Sequence, residues 1–265
     1  MKVKLYSAIM AGIFSAAVLL GQAKQPKPKS QKEVDALMAI QNATDPDARL
    51  EAIENLLTKF SDTEFKPMAL QMAAATAQQK NDYDKMVIYC ERTLEADPNN
   101  YVSMLMLANG FALKTREFDL DKEEKLTKAD NYAKKALELL KTAEKPNPAL
   151  TDEQWAGAKK DLEAQGHEAL ANAAVVRKKY DAAIAEFNAA LLSPTPDPAT
   201  MVREANAYIE WGKPAEAIAV LDKVAAIPDA HPQVKQAAAQ MKAKAVALKN
   251  APPKPPAPAA APESK

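Results

Sequence analysis

Asn81 to Asn100 reads NDYDKMVIYCERTLEADPNN, and its punctuation is that of one helix. Asp82 and Asp84 flank Tyr83 at the start, where acidic side chains oppose the helix dipole. Met86, Cys90, Thr93 and Leu94 then recur at helical spacing and share one face. Asp97-Pro98-Asn99-Asn100 ends the segment, because proline cannot continue a helix. Cys90 lies on the apolar face and is read as a small buried hydrophobe. It is the only cysteine in 265 residues, so no intramolecular disulfide is available and packing alone must hold the chain.

The same grammar extends outward. Hydrophobic residues make up 48% of the chain, enough for a core, while six glycines and a scarcity of β-branched runs favour helix throughout. Val34, Leu37, Met38 and Ile40 mark one amphipathic helix, Asp45-Pro46-Asp47 a break, and Leu50, Ile53, Leu56, Leu57 and Phe60 a second helix. Pro67 to Lys80 is an alanine-rich helix whose Ala73, Ala74 and Ala77 allow close approach to the Asn81–Asn100 helix. Leu107-Ala108 and Phe111 occupy the matching places in the next pair, whose second helix carries Ala129, Ala133, Ala136 and Leu137. The charged run Lys114 to Lys128 between them is read as a solvated turn or helix extension. Its Asp119, Asp121 and Glu123 lack the glycine and distal glutamate of a calcium loop. Thr151-Asp152-Glu153 opens a long helix running past Trp155 and Leu162 towards Arg177, followed by KKYDAAIAEFNAAL. A fifth pair holds Ala205, Tyr208 and Gly212, then Pro214, Ala217, Leu221 and Val224, and His231-Pro232 opens a last helix.

These pairs resemble tetratricopeptide repeats, a family with a period of about 34 residues. Ala183 and Ala217 stand 34 residues apart, whereas Met86 to Ala129 spans 43 and Ala129 to Ala183 spans 54. Residues are therefore inserted around the third pair. The resemblance implies an all-α fold, a right-handed superhelical array of antiparallel helix hairpins with a divergent first repeat and a C-terminal capping helix. It also implies a partner-binding face on the first helix of each pair. Asn109, Asn172 and Asn206 align at equivalent inward places, with Gln71 and Gln78 nearby, and an amide there can donate and accept to one peptide unit. Ligand contact and simple packing of the motif both remain open for these asparagines. Relatives that grip a terminal carboxylate set basic residues beside them. Here only Arg203 is basic, while Met68 and Met72 suggest an adaptable mixed groove or, equally, core contacts.

The ends of the chain differ from its body. Lys2 and Lys4, the apolar run Leu5 to Leu20 and Gly21-Gln22-Ala23 match a secretory signal peptide over residues 1–23, with an uncleaved anchor as the alternative. Residues 24–30 are expected as a mobile leader, 31–249 as the repeat domain, and 250–265, rich in proline and alanine, as a disordered tail. The body is thus expected outside the cytoplasm, periplasmic or secreted, with no stable membrane span once the signal is removed.

Lys+Arg and Asp+Glu both number 35, which argues against a nucleic-acid partner. No phosphate loop, nucleophile elbow or paired His/Cys spacing is present, and His167 and His231 stand alone, so catalysis, cofactor and metal are not expected. A protein or peptide partner is expected in the groove, with the chain acting as a scaffold or adaptor. The alternative is a cell-envelope assembly factor or periplasmic chaperone.

Overall fold

A computed structural model describes residues 26–251 of the chain. The expected signal peptide and almost all of the expected tail lie outside the described residues. Among those residues there are eleven helices and no strand, in the order α1 (Gln31–Asn42), α2 (Pro46–Lys59), α3 (Lys66–Gln79), α4 (Tyr83–Ala96), α5 (Tyr101–Lys114), α6 (Lys122–Thr142), α7 (Asp152–Val176), α8 (Tyr180–Ala190), α9 (Pro198–Glu210), α10 (Pro214–Ala225) and α11 (Pro232–Asn250). The chain divides into two compact units, the first ending at Pro196 and the second beginning at Asp197.

Local chemistry explains where the helices begin. The Asp45 side chain accepts from the Asp47 and Ala48 amides ahead of Pro46, Asp82 accepts from Lys85 N, Asn100 from Ser103 N, and Thr151 with Gln154 completes a capping box on α7. One tight turn closes three of the hairpins. Asn81, Lys178 and Gly212 take φ of 57°, 58° and 78°. The next amide in each case reaches back to a helical carbonyl, Asp82 N to Ala77 O, Lys179 N to Ala174 O and Lys213 N to Tyr208 O. Between α5 and α6 this turn is replaced by the loop 115–121, which accounts for part of the extra residues there, the rest lengthening the start of α6. The charged run is therefore part loop and part N-terminal extension of α6.

In the first unit α3, α5 and α7 pack side by side as the first helices of successive hairpins, each also against its own second helix. Alanine makes this possible: Ala73, Ala74, Ala77, Ala108, Ala129, Ala133, Ala136, Ala169 and Ala183 are fully buried. Leu70, Leu107, Leu126, Leu140 and Phe187 fill the remaining space. Cys90 is buried beside Met86, its Sγ 3.7 Å from the thioether sulfur, and burial pushes its thiol up to about 12. Residues 27–30, expected as a mobile leader, run along the α2–α3 loop. Lys27 N donates to Glu64 Oε2 (3.0 Å), Lys29 Nζ to Asp62 O and Oδ2 (2.7 and 2.6 Å), and Lys29 N to the buried Glu33 (2.6 Å).

The second unit packs α9, α10 and α11 around Ala205, Leu221, Val224, Ala238 and Ala245. Glu204 is buried at the edge of this core, and burial raises its carboxyl above the usual glutamate range against a smaller opposing pull from Lys223. The folded state then holds this proton more tightly than the unfolded chain does. Stability from this group is greatest at low pH and falls as pH rises from the ordinary glutamate range through the raised value. Glu204→Gln is expected to abolish that slope. In thermal melts from about pH 4 to pH 8 the variant should melt above the parent at the alkaline end, and parallel curves would refute the assignment.

Candidate functional site

The first-helix face of the first unit is built from α3, α5 and α7. On α3, Ala69, Ala73 and Ala77 pack inward, which leaves Met68, Gln71 and Met72 half-buried and Gln78 exposed. Met68 and Met72 rest against the core cluster while keeping an accessible edge. Gln71 is held in place, because its Oε1 accepts from Asn100 Nδ2 (3.1 Å) at the N-terminus of α5. Sequence reasoning placed Gln71 on this face but missed the bond, which joins residues 29 apart.

Asn109 on α5 is engaged within the fold. Its Nδ2 donates to Leu105 O of its own helix and to Gln165 O of α7, both at 3.0 Å. It is a tie between the first helices of adjoining repeats, the packing role that the sequence left open beside ligand contact. The tie requires α7 to come close, and Gly166 allows it. A Cβ added there would lie 2.9 Å from Leu137 Cγ and Cδ2 and 3.3 Å from Leu105 Cδ2. Gly110 serves the α5–α4 contact likewise, with Tyr83 Cε2 and Met86 Cε 2.8 Å from a would-be Cβ.

Asn172, one repeat on in α7, is 8% exposed, and its Nδ2 is buried without a hydrogen-bond partner among the described residues. An orphaned buried amide donor is uncommon in folded chains. Arg203 and Asn206 belong to α9 in the second unit. Arg203 is half-buried, and Asn206 Nδ2 donates to Glu210 Oε1 of its own helix (2.7 Å). Thus Met68, Gln71, Met72, Gln78, Asn109 and Asn172 lie on helices of one unit, and Arg203 and Asn206 on the other.

Neither lone histidine is set up as a metal ligand. His167 Nδ1 pairs with Glu186 Oε2 (2.7 Å), and His231 caps α11 by accepting from Gln233 N (3.3 Å). Among the described residues no group of three or more His, Cys, Asp or Glu side chains is arranged to hold a metal ion. No helix of the described residues is long and apolar enough to cross a membrane. Two open clefts of about 390 and 420 Å³ lie elsewhere, between α1 and α2 and between α6 and α7.

Residues 69–100, which run from α3 through α4 to the cap of α5, match the family profile of the tetratricopeptide repeat. That segment is similar to one tetratricopeptide repeat, and the chain has the fold of such repeats. Outside residues 69–100 the described residues continue as helices. Among solved structures, a thermophilic TPR protein from Thermus thermophilus is similar with a TM-score of 0.53 at 18% identity, covering 80% of this chain and 95% of that one. A tetratricopeptide repeat protein from Parabacteroides merdae aligns with a TM-score of 0.40 at 16% identity, covering 83% and 94%. No curated protein matches this chain.

Proposed function

We propose that this chain is a non-catalytic scaffold that holds an extended segment of a partner protein along its first-helix face, outside the cytoplasm. The observation that carries the reading is Asn172, a buried amide donor with no hydrogen-bond partner among the described residues, on the same register as Asn109. A peptide carbonyl would satisfy it once neighbouring side chains part to expose the amide. Gln78 offers a second, exposed amide, and Met68 and Met72 offer adaptable apolar contact. Those thioethers also suit transient use on varied clients, as an envelope chaperone would require. A scaffold copurifies with one defined partner, whereas a chaperone labels many.

Photocrosslinking from Gln78 and Met72, with the exposed Glu95 of α4 as control, tests the face. Adducts are expected from the first two positions and are expected to fall at least tenfold in an Asn172→Leu background. Equal labelling from Glu95, or adducts indifferent to Asn172, would sink the proposal. Export rests on the signal-like residues 1–23 and implies a mature amino terminus at Lys24, which N-terminal sequencing of the cell-derived protein reads directly.

A further inference from the structure

The loop 115–121 carries two apolar side chains in full contact with solvent, Phe118 (88% exposed) and Leu120 (108%). Its ends are fixed. Thr115 is buried and donates to Phe111 O (2.7 Å), Arg116 N donates to Asp119 Oδ2 (3.0 Å), Lys122 N donates to Asp119 O (3.1 Å), and Glu117 pairs with Lys178 Nζ (2.5 Å). A slack loop would fold its phenylalanine back onto the molecule, whereas this one holds it out. The segment alternates acid and apolar residues as Glu117, Phe118, Asp119, Leu120 and Asp121. Glu117 and Asp121 are paired with Lys178 and Lys125, but Asp119, between the two apolar residues, has no cation within ion-pair distance among the described residues.

A complementary surface lies on the same unit. The cleft between α6 and α7, about 420 Å³, is lined by Lys134, Leu137, Glu138, Lys141, Glu163 and His167. It is roomier than the roughly 150 Å³ that accommodates a benzene-sized molecule. Leu137 and the aliphatic stems of the lysines make its lining apolar. Lys141 is paired with Glu138 and His167 with Glu186, but Lys134 has no carboxylate partner among the described residues. Lys134 lies about 18 Å along α6 from Lys122, so a chain's own loop, at the start of that helix, cannot enter its own cleft.

We infer that the 115–121 loop of one copy docks in the α6–α7 cleft of a second copy, with Phe118 over Leu137 and Asp119 against Lys134. The two surfaces differ, so the contact is head-to-tail and a pair retains one unused loop and one unused cleft. The inference stands on different residues from the peptide-binding face and does not depend on it.

Sedimentation velocity of the full-length chain over a hundredfold concentration range tests it. The parent is expected to gain mass with concentration, and Phe118→Asp/Leu120→Asp and Lys134→Glu/Lys141→Glu are each expected to weaken association at least tenfold. All four side chains are exposed, so the variants should keep the parent's circular dichroism. An equimolar mixture of the two variants should form a heterodimer that grows no further, because one intact loop meets one intact cleft. A parent that stays monomeric, association that survives Phe118→Asp/Leu120→Asp, or a mixture that stays monomeric would each overturn the inference. So would a monomeric parent whose Phe118 and Leu120 are needed for binding lipid vesicles.

Discussion

Gly166→Val is expected to destabilise the first unit by about 3 kcal/mol. A Cβ at this position would sit 2.9 Å from Leu137 Cγ, the branch point of that side chain rather than its flexible end, so the clash is relieved only by moving the whole of Leu137 or the helix. Valine adds two further carbons and a restricted χ1 to the same space. The helix must move outward, and Asn109 then loses Gln165 O, which is 3.0 Å away in the parent. The gain of helix propensity on replacing glycine, about 1 kcal/mol or less, does not offset this. Urea unfolding of Gly166→Val, Asn109→Ala and the double variant measures both effects. The double variant should cost less than the sum of the singles, because the first change already breaks the bond that the second removes. Strict additivity would mean that the tie and the close approach are unrelated.

Removing the Glu33 carboxylate is the second large effect. Glu33 is 1% exposed, and its two oxygens accept from Thr63 Oγ1 and Lys29 N, both at 2.6 Å. Glu33→Ala leaves these donors facing a void. Two hydrogen bonds to a charged acceptor set the expected loss at about 3 kcal/mol, confined to α1, the leader and the α2–α3 loop. Limited trypsin digestion reads it, since Lys29 is tied to Asp62 in the parent and should be cut much faster in the variant. Glu33→Gln can still accept from one donor and should fall between the two. Unchanged cleavage in Glu33→Ala would show that Asp62 and Glu64 hold the leader without help.

The helix pairs were legible because their signals are local. Asp45-Pro46, Thr151-Asp152-Glu153 and Pro214 announce helix starts within a few residues, and the buried alanines recur at helical spacing. The insertion was legible as a departure from the family period. The turn at Lys178 was not, because lysine rarely takes positive φ and only the tertiary closure of α7 against α8 selects it. The leader shows the same limit. Pro26 and Pro28 suggest mobility to a local reading, whereas Glu64 and Asp62, which hold Lys27 and the Lys29 ammonium, stand more than 30 residues away. At the candidate site, register placed Asn109 and Asn172 correctly in sequence, but register carries no information on whether an amide is already satisfied. That depends on how near the next helix comes, and a single glycine in α7 decides it.

The third hairpin is joined differently from its neighbours. Glu117 to Lys178, and Glu123 and Asp130 to Arg177, tie the loop and the start of α6 to the end of the following helix, doing with side chains what a backbone turn does elsewhere. A junction of that kind is indifferent to the length of chain between its anchors. The loop 115–121 is therefore a place where residues can be added or deleted without shifting the period of the repeats on either side, and new surface can be acquired there while the stacking stays as it is.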